Sequence, residues 1–468
     1  MDQSLEEMKG DEKAVYLTEG EGRLAPAEQL LPLVREAFDA SDYGDIHGEI
    51  EELHPSDCAD LLEFLTRDER GRFVDVFGDD MHHETLTYLE GTVQEEVLER
   101  LQPQQLAEAF SELDSDDALD VIEDLEEEDR ERILAAILPV DRDVVRESLS
   151  YPEESAGRLM AKEFVTVPLE WTVGQAIDYM RASRDLPDDF YDLYVVDKDL
   201  SPLGVLPVSR VMRSKRGVAL ENIMSTDLHI VAPDLNQEDL AYEFRQYNLS
   251  SAPVATHEAG MVGVVTLDDI VRVIDEEAED DLFKMAGLSD EDMYSRALQT
   301  ARSRFSWLTL NLATAILASS VIAFFEGTIE RLVALAVLMP IVASMGGNAG
   351  TQTLTVAVRA IAMKDLTSAN AMRFIGKELM VAVINGVGFA AMVAVVTLLW
   401  FGDPALAMVI AVAMVGNLFM AGLAGALIPL ALDRLNIDPA NASAVVLTTI
   451  TDIVGFFAFL GLASWILL

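Results

Sequence analysis

The sequence is poor in cysteine, histidine and basic residues. Its 468 residues include one cysteine, Cys58, and six histidines, which excludes a disulfide framework and any zinc or iron–sulfur site built from several thiolates. Lys and Arg total 33 against 81 Asp and Glu, a formal net charge of −48. Such a charge excludes non-specific binding to nucleic acid or to anionic lipid, because both are negative. The negative charge favours binding of cations, and with so few Cys and His the available ligands are oxygen atoms.

The negative charge is confined to the part of the chain before residue 305. Residues 305–468 contain 8 acidic and 6 basic side chains, so their net charge is −2 and the remaining −46 lies in residues 1–304. The chain has 8 Lys against 25 Arg. The acidity therefore has a second interpretation, as an adaptation that keeps a halophile's protein hydrated, and this alternative stays open.

Residues 305–468 contain five apolar runs. Each has the roughly 20 residues that a helix needs to cross a bilayer. The runs are Phe305–Phe325, Leu332–Ala357, Leu379–Phe401, Ala405–Leu432 and Ala440–Leu467. The sequence therefore predicts a multi-pass protein of the cell membrane, with a five-helix transmembrane domain over residues 305–468.

Basic residues beside the runs indicate the orientation. Arg296, Arg302 and Arg304 precede the first run, and Arg359, Lys364, Arg373 and Lys377 lie between the second and third. The positive-inside rule then predicts a cytoplasmic N-terminus and an extracellular C-terminus. The N-terminus is acidic and polar, unlike a signal peptide, so we expect residues 1–304 in the cytoplasm.

Asp452 is the carboxylate that lies deepest in a predicted span. It is about twelve residues, or roughly 18 Å, from one end of the fifth run. Inserting a carboxylate there costs on the order of 3 kcal/mol, which makes it a candidate functional group. The alternative is a packing carboxylate that accepts a hydrogen bond from a Thr or Asn of a neighbouring helix.

The second run contains the segment PIVASMGGNAGTQ, from Pro340 to Gln352. Proline removes a helical hydrogen bond, and three glycines follow it, so we expect a loosened turn with free carbonyl groups. The carboxamides of Asn348 and Gln352 add oxygen donors, which are tolerated at this depth where they line a cavity. A kinked helix whose glycines let two helices touch explains the segment equally well.

Residues 26–152 are expected to form an acidic all-α domain, preceded by a disordered tail over residues 1–25. Apolar residues recur at three- and four-residue spacing between Leu53 and Leu125. A weak repeat with an offset of 48 relates the pattern Leu53, Pro55, Ala59, Leu65, Asp68 to Leu101, Pro103, Ala107, Leu113, Asp116. Stacked helical hairpins, a superhelix, would give such a repeat, and chance matching is the alternative.

Residues 153–274 alternate short strands with helices and resemble a tandem pair of CBS domains, an α/β module. Leu159-Met160 returns as Ile223-Met224, and each copy ends in an apolar strand after a glycine, Gly204 or Gly263. The second copy carries Thr266 and Asp269 in the T-x-x-D pattern with which that family often holds a ribose, and the first copy departs from it. Nucleotide binding, such as of ATP, is thus implied at the second copy alone. A structural or magnesium-bridged pair is at least as good an interpretation.

The whole arrangement resembles the MgtE family of magnesium channels. The signatures are YPEESAGRLM over residues 151–160, PIVASMGGNAGTQ in the second span and Thr448-Thr449-Ile450-Thr451-Asp452 in the fifth. The resemblance implies a homodimer whose cytoplasmic domains sense magnesium and whose segment 275–304 forms a plug helix below the pore. It implies no enzymatic activity, and no nucleotide-hydrolysis motif G-x-x-x-x-G-K-[ST] occurs.

The resemblance also assigns residues. Asp452 falls on the pore carboxylate, with Asn348, Gln352, Thr448 and Thr449 as further pore ligands, and Asp438 falls on the inner-mouth acid. The sensor carboxylates fall on Asp268, Glu276, Glu279 and Asp280, with Glu112 and Asp116 from the helical domain. Magnesium is therefore expected both as cargo and as regulator, and the lipid bilayer and divalent cations as the partners.

Elementary electrostatics supports this scheme. One carboxylate cannot neutralise a divalent ion, but a two-fold axis through the pore would bring two Asp452 side chains together. Because magnesium sheds water reluctantly, we expect a largely hydrated ion. The −46 charge would keep the acidic domains apart until bridging magnesium draws them together. The remaining alternatives are a transporter of manganese or cobalt and, from another class, a membrane-anchored sensor that conducts nothing.

Overall fold

The computed structural model describes residues 26–44, 46–89, 91–123, 125–184, 186–187, 190–288, 297–441 and 443–468. The expected tail, residues 1–25, and residues 289–296 of the expected plug segment lie outside the described residues. The chain divides into two compact units, Met1–Arg146 and Glu147–Leu468, which are described separately below.

Every regular element in the described residues of the first unit is a helix. Its elements, together with the helix that leads into the second unit, are α1 (Pro26–Ala40), α2 (His47–Glu51), α3 (Pro55–Phe64), α4 (Arg67–Phe77), a 3-10 helix (His83–Tyr88), α5 (Gly91–Arg100), α6 (Pro103–Glu112), α7 (Ser115–Glu123), α8 (Glu127–Ala136) and α9 (Pro139–Ser148). Phe73, Phe77 and Phe110 are among the largest fully buried side chains. The prediction of an all-α domain is thus confirmed.

The 48-residue repeat corresponds to two helix pairs, α3 with α4 and α6 with α7. Pro55 and Pro103 each occupy the first turn of their helix, where a missing N–H leaves no hydrogen bond unmade. The first helix of each pair ends at a buried leucine, Leu65 or Leu113. The repeated residues therefore mark helix starts and helix ends.

The second unit begins with the α/β module. Its elements are α10 (Ala156–Leu159), β1 (Val165–Pro168), α11 (Val173–Ala182), β2 (Asp192–Val196), β3 (Pro202–Pro207), α12 (Val208–Arg213), α13 (Gln237–Tyr247), β4 (Ser251–Thr256), β5 (Gly260–Thr266) and α14 (Leu267–Ala286), with a 3-10 turn over Leu220–Asn222. One sheet has the order β1-β2-β3 and the other pairs β4 with β5. The two copies expected from the sequence are both present.

The first residues of each copy pair with a strand of the other copy. Ala161, from the start of the first copy, bridges to Val264 on β5, and Ser225, from the start of the second, bridges to Val205 on β3. A Cβ on Gly263 would lie 2.6 Å from the Met160 sulfur, and a Cβ on Gly204 the same distance from the Met224 sulfur. The repeated methionines and glycines are thus partners across the pair.

Among its described residues, the second copy lacks a full counterpart of β1. Residues 229–231 stand 64 positions after Val165–Val167 of β1, yet only Val231 pairs, in a single parallel bridge to Val254. The ring of His229 instead packs against Tyr247, with centroids 4.2 Å apart. The second copy therefore has a two-stranded sheet.

Five long apolar helices follow, as predicted. They are α15 (Ala297–Phe324), α17 (Ala334–Ala362), α18 (Ala371–Phe401), α19 (Pro404–Arg434) and α20 (Ser443–Ile466), with the short α16 (Glu326–Arg331) between the first two. α19 packs against α17, α18 and α20, and α15 packs against α20. Helix α18 begins eight residues before the predicted span at Leu379, and so includes Lys377 and Glu378.

Asn417 of α19 joins three of these helices. Its side chain is fully buried, and its Nδ2 donates to the Val342 carbonyl of α17 at 2.8 Å. Gly346 of α17 and Gly455 of α20 both lie against this carboxamide. The glycines therefore permit close helix packing, which is the second of the two explanations given above for the α17 segment.

We predict that Gly346→Ala destabilises the membrane domain and that Gly347→Ala does not. A Cβ at position 346 would clash with Asn417, whereas at 347 no atom lies within 4 Å. Overpacking of this kind typically costs about 1–3 kcal/mol, while alanine in place of a helical glycine with open space around it is neutral or stabilising. Thermal unfolding of the purified protein in detergent checks this, and equal melting temperatures would contradict it.

Candidate functional site: a cation path through the membrane helices

Asp452 lies within the membrane helix α20, as the tenth of its 24 residues. Its side chain is partly exposed and makes no hydrogen bond or ion pair within the described part of the chain. One turn earlier, Thr448 and Thr449 donate their hydroxyls to backbone carbonyls of their own helix, at 3.0 Å and 2.6 Å. Their oxygen lone pairs remain available as acceptors, so three oxygen-bearing side chains share one stretch of α20.

The expected loosened turn after Pro340 is not formed. Helix α17 continues from Ala334 to Ala362 without interruption, so of the two explanations left open for this segment the one with freed carbonyl groups does not hold. Close packing keeps the segment helical, because Gly346 lies against Asn417 and Gly350 against Leu447 of α20. Any oxygen donors of this segment come from its side chains.

Asn348 and Gln352 lie on the exposed face of α17, away from its contact with α20. Asn348 shares that face with Ser344, Thr351 and Thr355. Four polar side chains in a row need water or another protein surface inside a bilayer. Gln352 also lines a cavity that α17 forms with α18 and α19. One chain by itself shows no contact that joins these carboxamides to Asp452 within its described residues.

Asp438 precedes α20 and is already engaged. Its Oδ1 accepts the Ala440 N–H at 2.8 Å, and its Oδ2 forms an ion pair with the Lys284 ammonium of α14 at 2.9 Å. Lys284 also pairs with Asp280 of its own helix. Partial burial opposes the charged ammonium, but its hydrogen bonds to both carboxylates raise the pKa of Lys284 overall. Lys284 thus pairs with both Asp438, the expected inner-mouth carboxylate, and Asp280, one of the expected sensor carboxylates.

Helix α14 carries the α/β module directly to the membrane domain. It runs unbroken past residue 274, the predicted boundary, to Ala286, and Gly287 caps it with a φ of 72°, which suits glycine. Met285 packs against the cluster of Leu354, Ala424, Ala440 and Leu447, and Trp307 of α15 lies against Gly287. The C-terminal end of α14 therefore contacts the C-terminal parts of α17 and α19 and the N-terminal part of α20.

A second contact joins the module to the loop between α17 and α18. The Lys364 ammonium pairs with Asp239 of α13 and lies 4.7 Å from the centre of the Tyr242 ring. Lys364 has a left-handed backbone, with φ of 55°. Beside it, burial raises the pKa of Glu238 to about 7, and repulsion from Glu277 adds to the shift. No local sequence pattern indicated this contact, because Lys364 and Asp239 are 125 residues apart along the chain.

Within the second unit, the expected sensor carboxylates are not gathered into one site among the described residues. Asp268, Glu276 and Glu279 are exposed, and Asp280 pairs with Lys284. In the first unit, Oε2 of Glu112 lies 2.8 Å from Nδ1 of the His83 ring, and Asp116 is buried. Among the described residues no group of three or more His, Cys, Asp or Glu could hold a metal ion.

Thr266 and Asp269 form the cap of α14. The Asp269 carboxylate accepts the Thr266 hydroxyl at 2.6 Å and its N–H at 3.3 Å. Asp269 is buried, and this burial raises its pKa. A ribose would have to share this carboxylate with the cap, and nucleotide binding at the two residues stays a prediction.

Comparison with known families and proteins gives the following matches. The family model described as a divalent cation transporter (MgtE) matches residues 339–462, that of the MgtE intracellular N domain matches residues 53–154, and that of the CBS domain matches residues 156–217 and 220–276. The chain is 31% identical over 458 residues to the magnesium transporter MgtE of Thermus thermophilus, covering 94% of this chain and 99% of the relative. The corresponding protein of Bacillus subtilis is 28% identical over 423 residues, covering 90% and 93%. A solved structure, the cytosolic domain of the Mg²⁺ channel MgtE in complex with ATP, is 29% identical, with a TM-score of 0.49 over 52% of this chain and 100% of that one.

Proposed function

The chain belongs to the MgtE family of magnesium transporters, and from that premise we propose that it is a homodimeric magnesium channel closed by intracellular magnesium. The observation that carries the proposal is Asp452, a carboxylate inside a membrane helix with no partner in the described chain. Bare carboxylates are costly at that depth, so the group needs a counter-ion. In this proposal a magnesium ion supplies the charge, and two subunits supply the two carboxylates.

Dimerisation would also shield the polar face of α17 from the lipid. Ser344, Asn348, Thr351 and Thr355 would meet acyl chains in a single subunit, whereas a partner's helices and a water-filled pore would receive them. Asn348, Thr448 and Thr449 would then contact the hydration shell of the ion rather than the ion itself, because magnesium keeps several of its waters. Gln352 lines a separate cavity and is the weakest member of the predicted pore set.

The α/β module would lie in the cytoplasm. It contacts the α17–α18 loop through Lys364 and the start of α20 through Asp438. Arg359, Lys364, Arg373 and Lys377 lie on this same side, and a basic side is cytoplasmic by the positive-inside rule. With five spans, the C-terminus would then lie outside the cell.

Gating would act through the two contacts that join the module to the membrane helices. With Lys284 on Asp438 and Lys364 on Asp239, α14 stays against the inner ends of α17, α19 and α20, and we assign this arrangement to the closed channel. Asp268, Glu276, Glu279 and Asp280 would bind regulatory magnesium together with Glu112 and Asp116. Only ions that bind the closed arrangement better than the open one can shift the equilibrium.

We predict that acidic internal pH favours closure. The pKa of Glu238 in the docked arrangement is about 7, above its ordinary value of 4.5. In this proposal undocking returns Glu238 to water and its pKa to near 4.5, so protonation stabilises docking, fully at pH below 4.5 and progressively less as pH rises through 7. Less internal magnesium should therefore close the channel at pH 6 than at pH 8, as measured by flux. Glu238→Gln should weaken this pH dependence, and an unchanged dependence would contradict the assignment.

The proposal is tested by magnesium flux into proteoliposomes, with magnesium varied separately on each face. We expect flux down the gradient and inhibition from the face that carries the α/β module. Equal inhibition from both faces would contradict a sensor in the α/β module. Faster flux of manganese or cobalt than of magnesium would show that one of those ions is the main transported ion. Absence of flux for every divalent ion would leave the non-conducting sensor as the function.

A further inference from the structure

A cavity whose wall includes four polar side chains lies between α17, α18 and α19, away from Asp452. Its volume is about 150 Å³, and its polar lining consists of Gln352, Thr353, Glu378 and Asn385. No residue of α20 contributes to it. It is therefore separate from the Asp452 stretch and is not used by the proposed path of magnesium.

Glu378 is the charged group of the cavity. It is 7% exposed, its Oε2 accepts the Thr353 hydroxyl at 3.2 Å, and its Oε1 lies 3.2 Å from the Lys377 ammonium. A carboxylate can accept about four hydrogen bonds, so half of its capacity remains. The side chain of Lys377 is 66% exposed, so solvent weakens its attraction for the buried carboxylate.

Two carboxamides of the cavity are unused. Neither Gln352 nor Asn385 makes a hydrogen bond within the described part of the chain, although both lie on membrane helices. An amide in a bilayer without hydrogen bonds costs roughly 2–7 kcal/mol. Two free amide oxygens beside a buried carboxylate therefore form a set of hard oxygen donors that lacks its ligand.

We propose that this cavity binds an alkali-metal cation, held by Glu378, by the oxygens of Thr353, Gln352 and Asn385, and by water. A single carboxylate balances one positive charge, whereas a divalent ion would keep an uncompensated charge in a region of low dielectric constant. A water molecule occupies about 30 Å³ of liquid, so the cavity admits a partly hydrated ion. The ion would join α18 to α17, the helix that carries Asn348 and the polar face.

The test is equilibrium binding of radioactive sodium, and separately of rubidium as a potassium analogue, to the purified full-length protein in magnesium-free buffer. We expect saturable binding of a single ion per chain in the wild type and in Asp452→Asn. Binding should be lost in Glu378→Gln and weakened about tenfold or more in Asn385→Leu, a loss of roughly 1.4 kcal/mol. Lys377→Met should retain it. The ion that binds more tightly identifies the natural occupant.

Three results would overturn the proposal. They are no saturable binding in the wild type, loss of binding in Asp452→Asn, and displacement of the bound ion by stoichiometric magnesium. If Glu378→Gln does not give a monodisperse protein on gel filtration, Asn385→Leu decides the question, because Asn385 makes no described hydrogen bond that the substitution could break. Magnesium flux is measured independently, so failure here leaves the proposed channel function intact.

Discussion

Asp452→Asn is expected to abolish magnesium flux while leaving a folded protein. Each subunit would lose the one carboxylate that this stretch of α20 offers, and a divalent ion in the membrane would be left without counter-charge. At separations of about 5 Å and an effective dielectric constant near 20, each carboxylate is worth several kcal/mol to the ion. Flux should therefore fall about 100-fold or more, since each 1.4 kcal/mol is a factor of ten.

The matched control for Asp452→Asn is Glu330→Gln. Glu330 is an exposed carboxylate of α16, in the connection between the first two membrane helices, and its neutralisation makes the same change of charge. Flux into proteoliposomes should be near the wild-type value in this variant. Wild-type flux through Asp452→Asn, or equal loss in both variants, would show that Asp452 is not on the path.

Lys284→Met is expected to hold the channel open when internal magnesium is low. Without the ammonium, Asp280 and Asp438 would face each other unneutralised, next to Asp281, whose pKa burial and the nearby Asp438 already raise to about 6. Repulsion would move α14 away from the start of α20. An ion pair as exposed as this one is worth about 1 kcal/mol, so flux at low magnesium should rise roughly fivefold.

High magnesium should still close the Lys284→Met channel, because a divalent ion can take the place of the ammonium between the carboxylates. Its closure should therefore depend more steeply on magnesium than that of the wild type. Lys284→Arg should behave as wild type, and Lys198→Met, at an exposed position of the α/β module, serves as the control for loss of charge. Unchanged flux at low magnesium in Lys284→Met would contradict the gating role of this contact.

Local patterns predicted much of the fold. Apolar runs longer than 20 residues gave the five membrane helices, and repeated prolines, methionines and glycines marked the helix pairs and the two α/β copies. The third span was predicted too short, because Lys377 and Glu378 interrupt the apolar run, although Glu378 is buried against Thr353. The sequence left two explanations open for the segment after Pro340, and only the structure decides for close packing, because the glycines there lie against Asn417 and Leu447 on other helices.

The candidate site was predictable only in part. Asp452 could be found because a carboxylate in an apolar run is costly, whatever surrounds it. The contacts of Lys284 with Asp438 and of Lys364 with Asp239 join residues more than 100 positions apart, and no local pattern encodes them. The sensor carboxylates stay predictions, because neither the sequence nor a chain without bound ions distinguishes an acidic residue that binds magnesium from one that does not.

The central claim, that two Asp452 side chains meet at one pore, is tested most directly by cross-linking. Cys58 is buried and burial raises its pKa to about 12, so the chain provides an unreactive background. In native membranes, a short bifunctional thiol reagent should join two subunits of Asp452→Cys but not of Val446→Cys, an exposed position elsewhere around α20. Dimers cross-linked through position 446 and not through 452 would contradict the claim.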